Sequence, residues 1–215
     1  MLEEKKLFFF ENHVKVTFEN NGPSNNTDNH MDILNTLGKI ESPEKALTIF
    51  KQKMDHDHLT RISKIEHPDI LIRIANAILL CNPDKVFINT GSPEDKAFIK
   101  KMALEKQEES PLAMANHTIH FDLAGEQGRI VDRTFYIANP EDHISSLANR
   151  MDRTKALEDI RSSLTNIMEG MTMIVGFYMR GPVGAPVSNP ALEITSSAYV
   201  SHSAELLYRN AYKNF

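Results

Sequence analysis

Apolar residues recur along the chain with two periods, and these divide it into strands and helices. The run from Met171 to Tyr178 is apolar and rich in residues that suit a pleated surface, so it predicts a buried strand, with a second at 191–195. Between them Arg180 to Pro186 reads RGPVGAP, in which glycines permit positive φ and prolines fix the backbone. A stiff polar loop held between two buried strands is a common place for a ligand site. Ser196, Ser197 and Tyr199 then lead into a helical pattern.

Other stretches extend the same reading. Strands are predicted at 85–89 (KVFIN), 117–121 (HTIHF) and 134–138 (TFYIA). Ile33, Leu34, Leu37 and Ile40 are spaced as in a short helix, and Ser42, Pro43 and Glu44 form a start signal for another. A helix runs from His67 to Leu80 and is broken by Asn82, Pro83 and Asp84; one with Phe98, Ile99, Met102 and Leu104 follows the turn at 90–95. Within 142–168, Leu157, Ile160, Leu164 and Ile167 mark an amphipathic helix. The pattern predicts an α/β fold, a mixed β-sheet of five strands with packed helices. Ahead of it, Val14, Val16 and Phe18 alternate as in a half-exposed strand, and residues 19–30 are almost wholly polar, so 1–30 reads as an arm with a linker and 31–215 as the α/β domain.

Composition narrows the function classes. The chain has 215 residues, 41% hydrophobic and 25% charged, with a net charge of −5, and its basic residues are scattered, which argues against nucleic acid. No apolar run approaches the roughly 20 residues a membrane span needs, and the N-terminus lacks a signal-peptide core. A single cysteine, Cys81, ends an apolar helical run and reads as a buried structural thiol in a reducing, cytoplasmic setting.

Candidate chemistry is sparse. Asp55, His56, Asp57 and His58 combine imidazoles with carboxylates, but neighbours on a helix point apart, so the reading is a solvated helix end. Gly91, Ser92 and Pro93 precede a helix whose first turn already holds Glu94 and Asp95, which indicates capping rather than phosphate binding. No GxxxxGK[ST] or GxGxxG occurs. In an extended 117–122, His120 and Asp122 share a face and read as a structural pair; a metal-dependent hydrolase using His117, His120 and Asp122 is the weaker alternative. Arg129 follows a glycine loop and precedes a strand, where a planar fork of donors can grip a carboxylate or phosphate; an ion pair with Asp132 or Glu126 fits its spacing equally. Arg150 and Arg153 read as a solvated face.

Three segments carry a family resemblance: GMTMIVGFYMRGPVGAPVSNPALEITSSAYV, VFINTGSPED and GRIVDRTFYIAN. Together they resemble GTP-dependent phosphoenolpyruvate carboxykinases, most closely archaeal ones, over about Lys85 to Tyr212, with the Gly-Pro-x-Gly-x-Pro loop as the specific part. The resemblance implies the N-terminal, substrate-side domain of a gluconeogenic lyase that converts oxaloacetate and GTP to phosphoenolpyruvate, CO2 and GDP with Mn2+ or Mg2+. It places a substrate-carboxylate arginine at Arg129, with Arg133 as second choice, and gives Arg180, Gly181, Pro182, Gly184 and Pro186 the task of shaping the cleft. That family's nucleotide loop and metal-holding residues lie beyond the region matched. The chain is therefore expected to supply no catalytic residue, to hold no metal or nucleotide alone, to meet a C-terminal nucleotide-binding domain and to be inactive when isolated. The competing expectation is a free-standing α/β interaction or small-molecule-binding module in which the Arg180 loop meets a partner and no chemistry occurs.

Overall fold

The computed structural model describes residues 16–19, 33–122 and 134–215. Strand β1 (Val16–Glu19) precedes four helices, α1 (Ile33–Leu37), α2 (Pro43–Lys53), α3 (His56–Ile62) and α4 (Pro68–Cys81). Strand β2 (Lys85–Asn89) and helix α5 (Pro93–Glu105) follow, then the short strands β3 (Ser110–Pro111), β4 (Thr118–Ile119), β5 (Tyr136–Ala138) and β6 (Arg150–Asp152). Helix α6 (Arg153–Leu164), strands β7 (Thr172–Arg180) and β8 (Asn189–Thr195), helix α7 (Ala198–Leu207) and strand β9 (Arg209–Asn210) complete the order.

Helix starts fall where polar caps permit them. The Ser42 hydroxyl accepts the Lys45 N–H at 3.4 Å and that of Ser92 accepts the Asp95 N–H at 3.1 Å, each with proline at the first helical position. Helix α4 ends where Asn82 turns left-handed at φ 51.

The central sheet has the order β1-β8-β7-β2, with β9 also paired to β7. Strands β2 and β7 are parallel, and β8 lies antiparallel to both β7 and β1. Both faces are covered, which is why β7 reads as a continuous apolar run. Val86, Ile88, Met173, Val175, Phe177, Leu192 and Ile194 meet Phe50 of α2, Ile62 of α3, Ile74 and Ile78 of α4 and Leu164 of α6 in the main core. On the other face Phe87 and Ile174 pack with Ile99 and Ala103 of α5 and Ala198 of α7, and Tyr178 and Ala191 pack with Ala204. Each fully buried large side chain contributes about 1.5–3 kcal/mol relative to exposure.

Two expectations change. Strands near 117–121 and 134–138 lie off the central sheet: β4 pairs antiparallel with β3, and β5 pairs parallel with β6. Their ladders span only two and three residues, and Tyr136 is 60% exposed where Ala138 is buried, so among the described residues the TFYIA strand is covered only in part. The helix within 142–168 begins only at Arg153, where the Asp152 carboxylate accepts the Lys155 N–H at 3.1 Å; Arg150 belongs to β6. Cys81 is buried as expected, and burial pushes its thiol up to about 12. Among the described residues no helix is long and apolar enough to cross a membrane.

Candidate functional site

Ligand sites in open α/β sheets lie beyond the carboxyl ends of the strands. In this sheet that edge is formed by the end of β2 at Asn89, the end of β7 at Arg180, the 181–188 loop and β9. The loop joins β7 to β8 with Arg180 opposite Asn189. Its backbone is fixed internally: the Ala185 N–H donates to the Pro182 carbonyl at 3.2 Å, the Ser188 N–H to the Ala185 carbonyl at 3.0 Å, and the Ser188 hydroxyl to the Pro182 carbonyl at 2.6 Å. Gly181 has φ 113, and a Cβ there would lie 2.5 Å from the Ser188 hydroxyl oxygen, so only glycine fits. Arg209 donates from Nη1 to the Gly181 carbonyl at 3.3 Å, tying the loop's first residue to β9. Val187 is 86% exposed.

Beneath the loop lies a polar hub. Glu205 of α7 accepts at Oε1 from Asn89 Nδ2 at 2.8 Å, the Tyr178 hydroxyl at 3.3 Å and Asn210 Nδ2 at 3.3 Å. Its Oε2 pairs with Lys96 Nζ at 3.2 Å, and its side chain is only 4% exposed. Burial, with the nearby Glu193 and Glu205 charges, pushes the Tyr178 hydroxyl above its ordinary range and keeps it a neutral donor. The tyrosine ring fits because Gly176, two residues back on the same face, has no side chain: a Cβ there would lie 2.5 Å from the ring.

The Thr90–Asp95 turn is consumed by its own partners. Asp95 accepts from Thr90 N at 2.8 Å and Thr90 Oγ1 at 2.6 Å, and from Arg61 Nη1 at 2.8 Å; Arg61 also donates to the Ile88 carbonyl at 3.0 Å. These contacts agree with capping rather than an anion site. In the 55–58 cluster, Asp55 caps α3 by accepting the His58 N–H at 2.9 Å, and Asp57 pairs with Arg61 at 2.8 Å. His58 departs from the solvated reading: its Nδ1 accepts the Ile88 N–H at 3.2 Å and its ring meets Phe87 edge-on at 4.8 Å. Burial lowers its pKa against the opposing pull of Asp55.

The hydrolase trio does not assemble. His120 donates from Nδ1 to the Glu108 carbonyl at 2.6 Å, sits 3.2 Å from Asp122 through Nε2 and stacks on Tyr199 at 3.5 Å. His117 turns instead to the Ala115 carbonyl at 3.0 Å. Among the described residues no three His, Cys, Asp or Glu side chains converge on a metal position. Arg129 and Arg133 lie outside the described residues, and Arg180 stands half-buried at the end of β7.

The family model for the phosphoenolpyruvate carboxykinase N-terminal domain matches residues 73–215. The chain belongs to that family. The match takes in α5, the 181–188 loop and the Glu205 hub. A protein named phosphoenolpyruvate carboxykinase [GTP] from Thermococcus sibiricus is 38% identical over 174 residues, covering 81% of this chain and 27% of that protein. One of the same name from Saccharolobus solfataricus is 33% identical over 172 residues, 80% and 28% of the two chains. A Treponema pallidum protein of that name is 26% identical over 149 residues, 69% of this chain and 24% of its own. The chain spans about a quarter of the length of these curated relatives.

The glycine-proline loop is legible in the sequence, whereas the groups of the hub beneath it are not. Asn89, Lys96, Glu205, Arg209 and Asn210 come from four elements and share no spacing. The one available signal is an acid beside the small residues Ala198, Ser201 and Ala204, which α7 turns toward the sheet.

Proposed function

We propose that this chain serves as the substrate-side N-terminal domain of a GTP-dependent phosphoenolpyruvate carboxykinase, a gluconeogenic lyase of the cytoplasm. The observation that carries this reading is the match to the N-terminal domain of that family over 73–215, with relatives whose names specify GTP. The whole reaction takes oxaloacetate and GTP to phosphoenolpyruvate, CO2 and GDP. Phosphoryl transfer rests on positioning and on charge neutralisation by metal and cationic groups. Nucleotide and Mn2+ or Mg2+ would be held by a C-terminal domain. This chain's own share is to bind and orient the dicarboxylate. Arg129 would grip one carboxylate through its paired N–H donors, with Arg133 as second candidate, while Arg180 and the glycine-proline loop shape the floor of the cleft.

The test is GTP-dependent decarboxylation of oxaloacetate by the 215-residue chain alone and by the chain joined to the rest of the Thermococcus sibiricus protein. The chain alone should show no turnover, and measurable turnover would overturn the division of labour. In the joined protein Arg129→Ala should raise KM for oxaloacetate by about tenfold or more, as loss of a charge-assisted fork does. Arg180→Ala should lower stability more than it alters KM; the reverse result would return substrate binding to the loop. A second reading, an interaction module without chemistry, draws on the exposed Val187 at the loop tip. It gains if the joined protein is folded yet inactive.

A further inference from the structure

We infer that Glu205 is a positioning residue: one buried carboxylate sets the conformation of both turns at the carboxyl ends of the parallel strand pair. Its link to substrate rests on the reading of the 181–188 loop as part of the cleft.

The geometry runs outward from Oε1. Three side-chain donors from three separate stretches converge on that oxygen, Asn89 from the end of β2, Tyr178 from β7 and Asn210 from β9. Asn89 passes the constraint forward, because its Oδ1 accepts the Gly91 N–H at 2.9 Å and so fixes the turn that opens α5. Asn210 passes it the other way: its neighbour Arg209 pairs with Met179 in the β7–β9 ladder and donates to the Gly181 carbonyl, where the loop leaves β7. The second carboxylate oxygen faces Lys96 of α5, which offsets the cost of burying the charge.

Packing alone does not explain an acid at this place. Ala198 and Ala204 of the same helix meet the sheet through small apolar contacts. A charged acceptor instead gives directional bonds, stronger than neutral ones and stronger still away from water. Glu205 therefore specifies where the strand ends sit relative to one another, and the loop inherits that placement through Arg209.

Amide hydrogen exchange of the 215-residue chain, read residue by residue, tests this. Glu205→Ala should raise exchange at Ala185 and Ser188 by about tenfold while Ile174 and Val175 in the middle of β7 stay within about twofold. Glu205→Gln keeps an acceptor oxygen for the three donors but loses the charge, so it should restore the protection in part and fall between Glu205→Ala and the unaltered chain. Arg209→Ala leaves the hub intact and should loosen the same two amides; combined with Glu205→Ala it should add little, since both act along one path. Should Glu205→Ala fail to fold, Asn210→Ala cuts the same path by removing one neutral donor and should give the same loop-confined rise. A uniform rise through the sheet, unchanged loop amides, or additive effects of the Glu205 and Arg209 substitutions would each overturn the positioning role. Phosphoenolpyruvate titrated into the joined protein reads the other claim separately. No response at any concentration, with the loop loosened as expected, would sink the substrate reading and leave the positioning role standing.

Discussion

Single positions at the strand ends carry costs that their neighbours do not. Gly176 lies mid-strand, yet a Cβ there would meet the Tyr178 ring at 2.5 Å, so Gly176→Ala must push the tyrosine away from Asn89 and Glu205. Overpacking of this kind costs about 1–3 kcal/mol, and urea denaturation should show it as a lower midpoint with an unchanged slope. His58 gives a pH signature. Burial disfavours its charged form and lowers its pKa below the ordinary 6.5 against the pull of Asp55, and the neutral ring accepts the Ile88 N–H at Nδ1. With the native pKa lowered, the unfolded chain binds more protons between the two values, so stability rises with pH across that window. This contribution is complete above 6.5 and is lost as pH falls below it. Replacing His58 with Gln, which keeps an acceptor, should flatten the fall in urea midpoint between about pH 7.5 and 5.5; an unchanged slope would remove His58 from the account.

At the scale of elements, α3, β2 and α5 are locked together through Arg61 and Asp95. Asp95 takes two bonds from Thr90 and two from Arg61, which also reaches the β2 carbonyl of Ile88. Asp95→Ala would leave Arg61 only Asp57 and the Ile88 carbonyl and would orphan the Thr90 donors, a loss of about 1–3 kcal/mol, measurable as a drop in Tm. The β5–β6 pair is the opposite case. Leu147 is 97% exposed and Tyr136 60%, so Leu147→Ser should change stability by no more than about 0.5 kcal/mol. The contrast follows from burial. The sheet strands bear helices on both faces, whereas the TFYIA strand pairs with β6 over three residues and leaves Phe135, Tyr136 and Ile137 exposed.

Over the whole molecule, the main core runs from α1 through α4 to the sheet and on to α6, with Cys81 inside it. Burial hides that thiol and suppresses its thiolate. Labelling by a thiol reagent should therefore track global opening, with native chain unreactive and the rate rising with urea in step with loss of the sheet. Fast labelling of the native chain would mean that α4 opens independently. The domain was legible at this scale because its strongest signals are local. The β7 run, the capped starts of α2 and α5 and the glycine-proline loop each fall within a few neighbouring residues.

Sequence by itself determined which segments are buried strands, where helices start, and that the loop after Arg180 must turn sharply. Periodicity, capping and glycine or proline backbone limits are properties of adjacent residues. The same residues carried the family resemblance, which the comparison over 73–215 bears out. Tertiary structure alone decided that 117–121 and 134–138 leave the central sheet, since the length of a strand ladder depends on a partner elsewhere in the chain. It alone turned His58 inward onto β2 and gathered Asn89, Tyr178, Lys96, Glu205 and Asn210 around one carboxylate. Such a hub joins groups up to 121 positions apart, and no local pattern encodes a meeting made only when the parallel strands and α7 have packed.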